Sequence, residues 1–160
     1  MLGLCLTIAL AACGDDDDTT TGSAEAPSTA AESSGSPEKG KPEVTVPEGA
    51  PPKKLEIRDI EEGSGPEAKA GDEVTVQYVG VNFKNGKEFD ASWDRGEPFT
   101  FQLGAGMVIP GWDQGVEGMK VGGRRELIIP PDLAYGPEGS PPAIGPNETL
   151  IFVIDLLEAG

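Results

Sequence analysis

The chain has 160 residues, with 28 acidic against 12 basic side chains, a formal charge of −16 and no histidine. That balance repels nucleic acid and anionic lipid head groups, so no nucleic-acid partner is expected, and histidine-based acid–base or metal chemistry is excluded. The acidity is shared by both parts of the chain after residue 13: residues 14–52 hold 9 acidic and 2 basic side chains, and residues 53–160 hold 19 and 10.

Met1 to Ala12 is uncharged and mostly apolar, but too short for the roughly 20 residues a membrane-spanning helix needs. It ends in Leu10-Ala11-Ala12-Cys13-Gly14, followed at once by Asp15 to Asp18. This order resembles a bacterial lipoprotein signal, which implies cleavage before Cys13 and a diacylglyceryl group on its sulfur. The mature protein is then expected to be extracytoplasmic and anchored to the membrane by lipidated Cys13. The plainer reading is an ordinary secretory signal, and no Lys or Arg precedes the apolar run. Cys5 would leave with residues 1–12, so no free thiol remains for a disulfide, a metal or a nucleophilic role. Residues 13–52 are rich in Asp, Thr, Ser, Ala, Glu, Gly and Pro, with Val44 and Val46 as the larger aliphatics. Such a stretch buries too little apolar surface to offset its ordering entropy and is expected to be a disordered tether. The Asp15–Asp18 run reads as a solvated spacer, because a Ca²⁺ loop needs Asp at alternating positions and a distant bidentate Glu.

Residues 53–160 suffice for one small domain with its own core. Leu55, Ile57 and Ile60 predict a first strand. Val74, Val76 and Tyr78 alternate with Thr75, Gln77 and Val79, as a strand requires. Asn85-Gly86 predicts a two-residue hairpin turn. Phe99, Phe101 and Leu103 alternate with Thr100 and Gln102. A helix is expected from about Pro110 to Met119, with Trp112, Val116 and Met119 on one face. Leu127 to Ile129 form a strand after two arginines. Gly136 to Pro146 is a restricted loop, and Leu150 to Leu157 is apolar enough for a central strand. The fold class is α+β, an antiparallel sheet packed on one short helix.

All nine aromatic residues lie between Tyr78 and Phe152. In Val108-Ile109-Pro110-Gly111-Trp112 a Pro-Gly turn can set an indole at the floor of a cavity, with the Val108 and Ile109 N–H groups on its rim. An aromatic-lined cavity without catalytic His or Cys points to recognition of an apolar group. Phe101 and Leu103 are read as plain core.

The segments Tyr78-Val79-Gly80, Gly86-Lys87-Glu88-Phe89-Asp90, Val108 to Trp112, Gly115-Val116, Met119-Lys120-Val121-Gly122 and Ala134-Tyr135-Gly136 occur in the order and spacing of a known family. Over about residues 53–160 the chain resembles the FKBP-type peptidyl-prolyl cis-trans isomerases. The resemblance implies a five- or six-stranded antiparallel sheet wrapped around one short helix. It implies Trp112 as the floor under a substrate proline ring, with Tyr78, Phe89, Phe99 and Phe152 as walls and Val108 and Ile109 at the rim. The Ile109 N–H and the Tyr135 hydroxyl would hold substrate carbonyls, Asp90 would sit at the edge beside Tyr78, and Ile144 would cap the pocket. Asp90 could also be a simple turn acceptor. Ser140 stands where some relatives carry His, and Gly145 where some carry Pro.

The implied reaction is rotation about an Xaa-Pro bond during the folding of extracytoplasmic proteins, with no cofactor and no metal. Proline-containing polypeptides are the expected partners, macrolides of the FKBP class the expected inhibitors, and the protein a monomer. The competing reading is a chaperone or proline-segment binding module on the cell surface that grips without turnover. A solute-binding lipoprotein fits poorly, because one domain offers no interdomain cleft.

Overall fold

The computed structural model describes residues 39–160. The expected signal at 1–12, lipidation at Cys13 and the tether up to residue 38 lie outside the described residues.

Six strands form one antiparallel sheet: β1 (Glu56–Glu61), β2 (Glu73–Asn82), β3 (Glu88–Ala91), β4 (Phe99–Gln102), β5 (Arg124–Ile129) and β6 (Leu150–Ala159). The order is β1-β5-β6-β2, and β3 and β4 share the outer edge of β2. β4 pairs with Glu73 to Val76, and β3 pairs with Val79 to Val81. The helical turn α1 (Ser92–Arg95) joins them. The main helix α2 (Pro110–Val116) lies across one face. This is the expected sheet-on-helix architecture.

β2 and β6 are central and almost wholly buried, which is why β6 reads as a nearly unbroken apolar run. Strand alternation splits their side chains between two cores. Leu127, Ile129, Phe152, Ile154 and Leu156 meet Trp112, Val116 and Met119 on the helix side, together with Phe101 and Leu103. Ile128, Ile151, Val79 and Val81 form a second cluster on the rear with Phe83 and Ala91.

α2 starts with Pro110 at its first position, where the missing N–H is no loss. Pro110-Gly111 is therefore the start of the helix rather than a turn before it. A Cβ on Gly111 would lie 2.4 Å from Ile129 Cγ2, and one on Gly115 would lie 2.5 Å from Leu127 Cδ1. These two glycines let the helix backbone rest directly on β5. The helix ends at Val116 rather than Met119, because Gly118 turns the chain with φ +76°. Arg125 donates from Nη1 to the carbonyl of Gly115 at 2.9 Å and pairs through Nε with Asp59 of β1 at 2.6 Å, tying the helix end to the sheet.

Two expectations are corrected, and the first strand is found where it is expected. The β2–β3 connection is not a two-residue hairpin: residues 83–87 link the strands, with the Gly86 N–H bonded to Asn82 O and the Asn82 N–H to Lys87 O. A two-residue type I′ turn needs positive φ at both central residues, and here only Gly86 has it (φ +67°). The first strand spans Glu56–Glu61 at the sheet edge, where Ile57 and Ile60 are each nearly half exposed. Residues 39–47, expected to belong to the disordered tether, lie against the rear of the sheet. Val44 and Val46 pack on the second cluster, Arg124 Nη2 donates to Gly40 O at 2.9 Å, and Lys39 Nζ donates to Gly122 O at 2.9 Å.

Candidate functional site

A cavity of about 490 Å³ opens between the sheet and α2. Its floor is Trp112, only 4% exposed, held by the direct backbone contact of α2 on β5. Three rings meet the indole edge to face: Tyr78 at 5.0 Å and 83°, Phe152 at 5.2 Å and 89°, and Phe99 at 6.2 Å and 74°. Phe89 stands at 87° to Phe152 with centroids 5.6 Å apart. Such T-shaped pairs contribute about 0.5–1.5 kcal/mol each beyond their buried area, so the walls brace one another. The indole Nε1 is buried without a hydrogen-bond partner among the described residues.

Gly80 permits this arrangement. In the sheet it lies opposite Phe152 and Asp90. A Cβ there would come within 2.7 Å of Phe89 Cζ and 2.8 Å of Phe152 Cε1.

One wall is polar. The Tyr78 hydroxyl donates to Asp90 Oδ2 at 2.5 Å and accepts from Arg95 Nη2 at 2.9 Å. Arg95 Nη1 also bonds Asp90 Oδ1, and the guanidinium carbon lies 5.3 Å from the centroid of the Tyr78 ring. Burial, followed by the hydrogen bond to Asp90, pushes the Tyr78 phenol up to about 12, so it stays protonated and donating at neutral pH. The backbone behind this trio is fixed by Ser92, whose hydroxyl accepts the Tyr78 N–H at 2.8 Å and also bonds Gln77.

The rim is the loop entering α2. Asp113 accepts from the Gly104 N–H at 2.9 Å and the Gly106 N–H at 3.2 Å, which sets the course of Met107, Val108 and Ile109. The Ile109 carbonyl accepts the Trp112 N–H at 2.9 Å. Among the described residues the Ile109 N–H and the Tyr135 hydroxyl have no hydrogen-bond partner. Tyr135 is 41% exposed at the opposite edge. Burial of its ring, and then the charge of Asp90, raise the Tyr135 phenol above its ordinary value.

The cavity thus brings together Tyr78, Phe89, Asp90, Phe99, Val108, Ile109, Trp112, Tyr135 and Phe152. Ile144 is not among its lining residues: it is 4% exposed and packed in the helix-side core, its backbone bonded both ways to Ser140. Three residues at the site went unread in the sequence. Met107 and Pro110 line the cavity, and their positions beside Val108 and Ile109 were the available signal. Arg95 sits in a polar stretch where nothing local distinguishes a site arginine from a surface one.

Comparison with known proteins agrees with this geometry. The family described as FKBP-type peptidyl-prolyl cis-trans isomerase matches residues 65–157. The chain is 66% identical over 115 residues to the FK506-binding protein of Streptomyces anulatus, covering 71% of this chain and 93% of that one. It is 53% identical over 116 residues to the probable FK506-binding protein of Corynebacterium glutamicum, covering 72% and 96%. Among solved structures it is similar to AtFKBP13, with a TM-score of 0.62 and 43% identity over 66% of this chain and 93% of that one. It is also similar to FkpA from Escherichia coli, with a TM-score of 0.60 and 47% identity over 66% of this chain and 47% of that one. With the fold, the aromatic cavity and these matches in agreement, the chain belongs to the FKBP-type peptidyl-prolyl cis-trans isomerases.

Proposed function

We propose that this isomerase seats the proline ring of its substrate on Trp112, between Tyr78, Phe89, Phe99 and Phe152, with Val108 at the rim. The Ile109 N–H and the Tyr135 hydroxyl hold the carbonyls flanking the rotating bond. The observation that carries this reading is the pair of unpartnered donors at the rim of an aromatic cavity. A planar Xaa-Pro amide rotates over a barrier of about 20 kcal/mol because resonance resists twisting. The twisted transition state has lost that resonance and is less polar. A dry aromatic wall disfavours the planar amide relative to the twisted one, and fixed flanking carbonyls add an orientational gain. Lowering the barrier by roughly 7 kcal/mol corresponds to about 10⁵-fold in rate. No proton transfer or nucleophile is needed. Asp90 and Arg95 hold Tyr78 in place and give the cavity one polar wall.

The names of the relatives support a macrolide of the FK506 class as a ligand for the same cavity. The order Leu10-Ala11-Ala12-Cys13 supports a lipidated, extracytoplasmic form acting on proteins that fold outside the cytoplasm. A protease-coupled assay on an Xaa-Pro peptide, with and without such a macrolide, tests the site. Catalysis that survives saturating macrolide would place it elsewhere. Mass spectrometry of the mature N-terminus tests lipidation, and an unmodified Cys13 in membrane-fractionated protein would refute it.

A further inference from the structure

Lys41 belongs to the segment that composition assigns to a tether, yet it is held on both sides. Lys39 pairs with Glu61 at 2.7 Å, Gly40 accepts from Arg124, and Val44 and Val46 pack on the rear cluster. Between these anchors the Lys41 ammonium lies 2.9 Å from Glu88 Oε1 and 2.7 Å from Asp94 Oδ1. Glu88 opens β3 and Asp94 lies in α1, so one cation spans the two ends of the segment carrying Phe89 and Asp90 and leading into Arg95.

We infer that Lys41 is a positioning residue for the isomerase site, keeping Asp94 occupied so that the neighbouring Arg95 stays on Asp90 and Tyr78. The inference rests on the reading of the cavity as the isomerase site. Its physical basis is competition between carboxylates. Asp94 is adjacent to Arg95 in the chain and feels its charge, but it is held in its ionised form first by Lys41. Without the ammonium, Glu88 and Asp94 lose the cation they share. The nearest remaining cation for Asp94 is then Arg95. A guanidinium drawn toward Asp94 gives up the orientation in which its two terminal nitrogens meet Asp90 and Tyr78. An isolated surface ion pair contributes little, partly because two long side chains must be ordered to make it. Here the backbone on either side of Lys41 is already docked, and one cation serves two carboxylates. Residues 39–47 are then part of the catalytic unit, and their contribution depends on salt.

The test compares the full chain with its Lys41→Met, Lys41→Arg and Lys41→Met/Asp94→Asn variants, using kcat/KM on an Xaa-Pro peptide. At low salt Lys41→Met is expected to lose about two- to five-fold, the range of such ion pairs. The loss should shrink at 1 M salt, where the screening length falls to about 3 Å. Lys41→Arg should restore the rate, and Asp94→Asn should restore most of it in the Lys41→Met background, which a general loosening of the fold would not allow. A Lys41→Met rate equal to wild type at low salt overturns the inference. So does a loss that Asp94→Asn leaves in place. A wild-type chain no faster than the uncatalysed reaction would defeat the reading of the site itself, and this inference with it.

Discussion

Gly80→Ala is the most direct probe of how the walls of the cavity are held. The added methyl would sit 2.7 Å from Phe89 Cζ, 2.8 Å from Phe152 Cε1 and 2.9 Å from Phe89 Cε2, whereas carbon atoms rest at about 3.5–4.0 Å. Both rings must therefore retreat by roughly 0.6–1.3 Å. Phe152 is 4% exposed and stands against Trp112, and Phe89 stands against Phe152. The room available to them is the cavity itself. Overpacking of this kind costs about 1–3 kcal/mol, which for a domain of this size lowers Tm by roughly 4–12 °C. Against a native stability of about 5–15 kcal/mol the variant remains folded at 25 °C. A displacement approaching 1 Å at a site of this kind can cost about 10²-fold, so kcat/KM is expected to fall roughly 10- to 100-fold. The measurements are thermal melting and the protease-coupled rate, with Gly160→Ala as control because nothing lies within 4 Å of its added methyl. A lowered Tm with an unchanged kcat/KM would show that the Phe89–Phe152 wall does not shape the reaction.

Three further outcomes follow from the same geometry. Tyr135→Phe removes a hydroxyl with no partner among the described residues, so Tm should hold while kcat/KM drops about two- to tenfold, one neutral hydrogen bond in the transition state. An unchanged rate would remove Tyr135 from carbonyl binding. Arg124 pairs bidentately with Asp155, at 2.5 Å from Nε and 2.6 Å from Nη2, and the Asp155 side chain is 4% exposed. Arg124→Leu strands that carboxylate and should cost about 3–5 kcal/mol in urea unfolding, and a double replacement by Leu should cost less than the single one. The Tyr78 phenol is raised to about 12 in the folded protein, against about 10 in an unfolded chain. Its contribution to stability is whole below pH 10 and is lost as pH climbs toward 12. Thermal melts over that window should show a decline that Tyr78→Phe diminishes, with phenolate absorbance as a second readout. A Tyr78 that ionises near pH 10 would contradict the part-buried bond to Asp90.

The parts of the fold legible in the sequence are those where burial alone sets the pattern. β6 is apolar on both faces because it lies mid-sheet, and β2 shows its alternation before entering the same buried layer. The aromatic cavity was legible through the family spacing, which assigned Tyr78, Phe89, Phe99, Trp112, Tyr135 and Phe152 to it, while Phe83 and Trp93 lie with the rear cluster. The parts that were not legible depend on contacts between distant residues. α1 is a single turn of four residues with no helical period to display, and it is fixed through Ser92 to the Tyr78 backbone. Val44 and Val46 did show an i, i+2 spacing. Their burial, however, needs the patch formed by Val79, Val81, Ile128 and Ile151, which only the folded sheet assembles. Asn85-Gly86 looked like a tight hairpin because composition cannot tell one positive φ from two. Ile144 is buried in the same core as Trp112 and Phe152 without lining the cavity, a difference of side-chain placement that its loop composition does not show.

The seating of α2 on β5 through Gly111 and Gly115 has a consequence for how this protein can diversify. With the helix backbone seated on the Ile129 and Leu127 side chains, a larger residue at either glycine unsettles Trp112 and the fold together. The rim is different. Met107 is two-thirds exposed, and the stretch before it is tied down through the Asp113 bonds to the Gly104 and Gly106 N–H groups. On the proposed seating of a proline ring, exchange of the exposed Met107 side chain can alter which neighbouring residues are welcomed while the floor stays as it is. The donors at the rim belong to the same proposed reaction, so it is the exposed rim side chain, not the rim backbone, that is free to drift.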